Sequence, residues 1–173
     1  MEAFTANEEA FIAARDSFYM ATVSETGWPY VQHRGGPQGF LKVINKTTLA
    51  FADFRGNRQY ISMGNLDAND RVALILVDYP RRARLKILAH VERLALDAEP
   101  GLLEQVSEPG YRAKPERIFR LRLAAFDWNC PQHIIPRFTE AEIAKAVQPL
   151  HQKLETLEAD NRALRKRLEE IER

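Results

Sequence analysis

Residues 118–123, Ile-Phe-Arg-Leu-Arg-Leu, alternate without a break: Ile118, Arg120 and Arg122 fall on one side of an extended strand, and Phe119, Leu121 and Leu123 on the other. The first side is expected to be wet. The same period of two governs residues 82–87, where Arg82, Arg84 and Lys86 alternate with Ala83, Leu85 and Ile87, placing three cations in a row on one face. Long cationic side chains can also simply cover the outside of a sheet. Further short runs rich in Val, Ile, Thr, Tyr and Phe, among them "TLAFADF" and "RVALILVDY", are separated by the turn signals "ETG", "GGPQG" and "NKT". At least six strands are predicted. That many short strands in a small domain leave exposed edges unless the sheet closes, so the expected fold is mainly β, an antiparallel barrel with flanking helices.

Helical periods occupy the ends and two interior stretches. Thr5 and Glu8 have capping-box spacing ahead of an apolar face of Ala10, Phe11 and Ala14. Short helices are expected near "NRQYISMGNLDAND" and "AEPGLLEQV". A second capping box, Thr139 with Glu142, introduces a different pattern, in which Ile143, Val147, Leu150, Leu154, Leu157, Asn161, Leu164, Leu168 and Ile171 recur at alternating spacings of four and three. This is a heptad seam, with leucine at d positions 150, 157 and 164 and Asn161 at an a position, where a buried amide favours two strands. The chain is therefore divided into a barrel domain, 1–138, and a C-terminal helix, 139–173, expected to pair as a dimeric coiled coil. The alternative is an amphipathic helix lying back on its own barrel, with Pro149 able to kink its upstream end.

Composition changes this picture little. With 25 Lys and Arg against 24 Asp and Glu, the net charge of +1 gives no global attraction to nucleic acid or to an anionic membrane. The basic segment "RRARLK" lacks an aromatic stacking platform, so a nucleic-acid partner is not expected. The single cysteine, Cys130, rules out an intrachain disulfide framework. No apolar run reaches the roughly 18 residues of a membrane span, and the first residues lack a signal-peptide plan, so a cytoplasmic location is expected.

Two basic segments are candidates for anion chemistry. In "VQHRGGPQG", His33 and Arg34 precede Gly35 and Gly36 between two apolar strands. In "FRGNRQY", Arg55, Gly56, Asn57 and Arg58 stand where a strand ends and a helix is expected to begin, so two guanidinium groups and free amide donors would meet at a helix N-terminus. The Gly-Asn pair can equally serve a purely conformational role in a turn.

"GWPYVQHRGGPQGFLKVI", "FADFRGNRQYISMGNLDANDRVALILVDY" and "FDWNCPQHIIPRF" together resemble the pyridoxamine 5'-phosphate oxidase-like family, in the branch with the Asp-Trp-Asn-Cys-Pro-Gln-His signature. The resemblance covers roughly residues 10 to 140. It implies a six-stranded antiparallel split barrel and a homodimer with FMN at the subunit interface. It further implies that Gln32, His33 and Arg34 face the cofactor while Gly35 and Gly36 let the backbone approach its ring. The family's phosphate grip falls on Asn57 and Arg58, with Arg55 nearby and the helix residues Asn65, Leu66 and Asn69 following. Here Gly-Asn-Arg stands where the oxidase has Ser-Arg-Lys. Arg84 and Lys86 match the family's flavin-contacting strand only loosely.

Within the last block, Trp128 is expected to wall off the ring or to fill core, and Asn129 and Gln132 to bond the ring's polar edge. Cys130 and His133 have half a zinc spacing without a second pair, so no metal is expected. Relatives of this kind include oxidases, flavin-dependent reductases and proteins that only bind flavin or haem. The expected function is an FMN-dependent oxidoreductase acting on a small molecule. The alternative is a non-catalytic flavin carrier or redox sensor. No general base is identifiable, and His33 and Arg34 are the residues expected to tune the charge of the flavin.

Overall fold

The computed structural model of the chain describes residues 3–56, 60–128 and 131–172. It divides into two compact units, Met1–Ile135 and Pro136–Arg173. In the first, helix α1 (Ala6–Ala13) is followed by strands β1 (Ser17–Val23), β2 (Pro29–Gly35), β3 (Lys42–Asn45) and β4 (Thr48–Phe54). Helix α2 (Ile61–Ala68), β5 (Arg71–Asp78), β6 (Ala83–Leu94), α3 (Pro100–Val106) and β7 (Pro115–Trp128) complete it. Each predicted helix forms, and the Thr5–Glu8 capping box is present at α1.

The strands make one antiparallel sheet in the order β2-β1-β5-β6-β7-β4-β3. The described residues form seven strands, one more than the six the resemblance implies, with the strand expected after "GGPQG" reduced to Lys42–Asn45. The strands flanking "GGPQG" are not neighbours: β2 and β3 lie at opposite edges. The hydrogen-bonded sheet is thus open, and side chains bridge the split. Arg34 of β2 reaches Asp53 of β4 at 2.5 Å, and its guanidinium lies 5.5 Å from the ring centre of Phe119 on β7. This is the mixed α+β, split-barrel architecture.

The enclosed side of the sheet holds the core. Phe18 and Phe40 stack at 5.5 Å, Phe51 meets Phe18 edge-on at 5.3 Å, and Phe119 closes on Phe51 at 5.1 Å. Alternation holds on β6, where Leu85 and Ile87 are buried, and on β7, where Phe119, Leu121 and Leu123 are. The opposite side of β7 is not uniformly wet, however. Ile118 is fully buried with Ala50, Ala52, Leu102 and Val106, because α3 covers that end of the strand. Nor do three cations line β6: Arg82 lies in the preceding turn with φ +55°, so only Arg84 and Lys86 belong to the strand.

The second unit is one helix, α4 (Glu140–Ile171), which begins at the Thr139–Glu142 capping box and continues through Pro149. None of its side chains is buried.

Candidate functional site

Strand alternation decides what β2 can present. Gln32 and Arg34 point to one side, where Gln32 accepts a 2.8 Å hydrogen bond from the buried Ser62 hydroxyl of α2 and Arg34 pairs with Asp53. His33 points to the other and packs edge-on against Tyr19, 5.5 Å between ring centres. The three residues therefore do not share one face, contrary to the sequence expectation, because adjacent positions of a strand project oppositely.

Around Arg34 a charged network closes one end of the barrel. Asp53, 6% exposed, lies directly across from Arg117 in the β4–β7 register, and Arg117 Nη1 stands 3.4 Å from its Oδ2. Arg117 Nη2 bonds Glu116 at 3.2 Å, and the Tyr60 hydroxyl also donates to Glu116. Arg55 Nε approaches the same carboxylate at 3.5 Å. Three guanidinium groups thus face two carboxylates. Two of their buried nitrogens, Arg34 Nε and Arg117 Nη1, lack a hydrogen-bond partner. Burial lowers the Arg34 guanidinium from its ordinary value against the opposing pull of Asp53, and raises the Asp53 carboxyl despite Arg34 and Arg117.

Next to this network α2 begins, and later than expected. Its N-cap is Tyr60, in the left-handed region with φ +51°, and the Tyr60 side chain makes no cap hydrogen bond. Arg55 and Gly56 precede that end, while Asn57 and Arg58 lie outside the described residues. Asn65 of α2 is buried and donates to Thr22 at 2.8 Å, which ties the helix to β1 through a polar pair. Asn69 accepts from the Arg71 amide at the start of β5.

The glycines after Arg34 answer to the protein itself. A Cβ on Gly36 would come within 2.6 Å of the Phe40 ring, and one on Gly35 within 3.1 Å of the His33 ring. The close approach that Gly36 permits is by a core phenylalanine.

The outer side of the sheet carries the second feature. In register across five strands lie Val31, Ala21, Ala73, Leu88 and Ala125. Val31 and Leu88 are more than half exposed. The adjacent row is His33, Tyr19, Ile75, Lys86 and Asp127, with Lys86 paired to Asp127 at 2.7 Å. An apolar stripe about 19 Å wide, at ~4.8 Å per strand, thus meets solvent. Arg84 lies further along β6, half-buried, with its Nε unpartnered.

Trp128 is committed inside the chain. Its indole N–H donates to Glu8 at 2.7 Å, and its ring meets Phe11 edge-on at 4.8 Å. Burial alone would raise the Glu8 carboxyl. Hydrogen bonds from the Thr5 hydroxyl, the Trp128 indole, the Thr5 amide and Asn7 outweigh it and hold the group at about 2. Gln132 is exposed beyond β7, and Asn129 and Cys130 lie outside the described residues.

Asp53, Arg117, Glu116 and Tyr60 were missed from sequence. A signal existed for two of them: Asp53 interrupts the otherwise apolar "TLAFADF", and Arg117 shares the parity of the buried Phe119, Leu121 and Leu123.

An open antiparallel sheet curled on itself, with a guanidinium-rich mouth beside the start of α2, defines a split-barrel protein. The chain belongs to the pyridoxamine 5'-phosphate oxidase family, whose profile matches residues 4–127. No curated protein matches it. Among solved structures it is similar to HupZ of Group A Streptococcus, with a TM-score of 0.58, 12% identity, and coverage of 78% of this chain and 100% of that one. A protein of Clostridium acetobutylicum related to general stress protein 26 gives 0.51 at 14% identity, covering 79% and 94%. An FMN-binding protein of Syntrophomonas wolfei gives 0.50 at 16%, covering 70% and 83%.

Proposed function

We propose that the protein is an FMN-binding oxidoreductase that works as a homodimer on a small molecule. The observation that carries this reading is the mouth of the barrel, where Arg34, Arg55 and Arg117 outnumber Asp53 and Glu116 beside the start of α2. A surplus of guanidinium groups over carboxylates, with Arg34 Nε unpartnered and Arg117 Nη1 only ion-paired to Asp53, fits a phosphate group, which takes hydrogen bonds from arginine and from helix amides together. In this reading Arg58 and Asn57 complete the grip, Asp53 holds Arg34 in place, and Arg55 stays solvent-facing to meet the anion. Tyr19 and His33, beside the trough of Ala21 and Ala73, offer a flat apolar floor for a ring system. Lys86 and Arg84 border it, and Asn129 and Gln132 reach its polar edge. The exposed stripe from Val31 to Ala125 is the surface a second subunit covers. FMN, when bound, supplies hydride or two-electron transfer to or from the substrate. The FMN-binding relative from Syntrophomonas wolfei is consistent with that cofactor.

An absorbance spectrum of the purified protein tests the reading, followed by anaerobic addition of reduced nicotinamide dinucleotides. Flavin absorbance that bleaches supports an oxidoreductase, and flavin that persists unbleached with every reductant offered supports the carrier alternative. Arg58→Ala is expected to lose flavin but keep the dimer. Protein that is colourless and takes up no added FMN overturns the site.

A further inference from the structure

We propose that α4 binds a second copy of itself as a parallel, in-register, two-stranded coiled coil. At 32 residues the helix is about 48 Å long at ~1.5 Å per residue. Its heptad leucines and isoleucines are 51 to 82% exposed. An isolated helix gains nothing from such a seam, since helices in proteins draw most of their stability from packing an apolar face. Pro149 falls at a c position, off the seam, so its ring does not obstruct a partner.

Asn161 selects the partner's orientation. In a parallel pair, a positions face a positions, so Asn161 meets its own copy and the two amides bond one another. In an antiparallel pair, a faces d, and every register sets Asn161 against Ile143, Leu150, Leu157, Leu164 or Ile171. A parallel pair slipped by one heptad sets it against Leu154 or Leu168. Each of those alternatives buries an amide without a partner, which is unfavourable. One arrangement alone satisfies it.

Charge gives the same answer independently. Lys153 and Glu158, Asp160 and Arg165, and Arg167 and Glu172 are g residues followed five later by e residues of opposite sign. In a parallel homodimer all three pairs attract across the interface, twice each by symmetry. A partner of different sequence would have to reproduce both the asparagine and this order of signs. A second copy supplies them by identity.

Disulfide trapping in the full chain tests the proposal. Leu157→Cys, at a d position in a Cys130→Ser background, is expected to pass on mild oxidation from the 19.9 kDa chain to a covalent dimer. Thr156→Cys, at a c position, is expected to stay monomeric on a denaturing gel. Lys153→Glu combined with Arg167→Glu, added to Leu157→Cys, should suppress the linked dimer. Mixing that chain with one carrying Glu158→Lys, Glu172→Lys and Leu157→Cys should restore it. Failure of Leu157→Cys to link, equal linking at both positions, or indifference to the charge exchange would each overturn the proposal. Folding of every variant is read from near-ultraviolet circular dichroism, because every Phe, Tyr and Trp of the chain lies outside α4.

Discussion

The barrel and α4 both carry regularly spaced apolar residues, but they dispose of them differently. In the barrel, Phe18, Phe40, Phe51 and Phe119 are each buried against one another within a single chain. In α4, Leu150, Leu154, Leu157, Leu164, Leu168 and Ile171 are all exposed. A period of two on strands that curl provides its own opposite wall, whereas a seam on one helix has no opposite wall to close against. The first region completes its core by itself. The second leaves its apolar seam exposed along the whole helix.

The sharpest way to break the barrel side of that contrast is Phe51→Ala. Loss of a ring enclosed by three others should cost about 3–5 kcal/mol and lower the barrel's melting temperature accordingly, as read by calorimetry. Arg34→Ala comes next. It leaves Asp53 buried with only Arg117 for support, and removing one partner of a buried pair costs roughly 3 kcal/mol. Asp53→Leu combined with Arg34→Met should recover most of that stability in urea denaturation while failing to hold FMN, which separates architecture from ligand binding.

A smaller effect is expected at Trp128. The Glu8 carboxyl has its folded value at about 2, below the ordinary 4.5. Its contribution is therefore present above about pH 4.5 and is lost as pH falls toward 2. Trp128→Phe removes one of the donors, so the acid unfolding midpoint should move upward, by an amount consistent with ~1–2 kcal/mol for a hydrogen bond to a charged group. Circular dichroism through an acid titration reads it. An unchanged midpoint would show that Thr5 and Asn7 hold the carboxylate without the indole. The smallest effect on the barrel should come from Leu164→Asp in α4, which is expected to suppress disulfide trapping through Leu157→Cys while leaving the barrel's melting within about 0.5 kcal/mol of the parent.

These differences also explain which parts were legible in sequence. Capping boxes, heptads and the alternation of "RIFRLRLAAF" are local, so both terminal helices and most strands could be placed. The partnership of Arg34 with Asp53 spans 19 residues and crosses the split between β2 and β4, which no local period records. Alternation would have separated His33 from Gln32 and Arg34, had it been applied to β2 as it was to β7. Gly36 was assigned to a ligand because its obstruction, Phe40, lies across a turn whose shape sequence did not define. Trp128 found its acceptor 120 residues away, in the first helix.

That last separation sets an order of events during synthesis. At about 5–20 residues per second, some 6 to 24 s pass between translation of Glu8 and translation of Trp128. Over that interval α1 has no indole to satisfy its carboxylate and no ring for Phe11, so a helix made before every strand of the sheet is secured only by the last of them. The seam of α4 is translated later still. A nascent chain therefore has every strand of its barrel before it has the seam that, on the pairing proposed above, would meet a second copy.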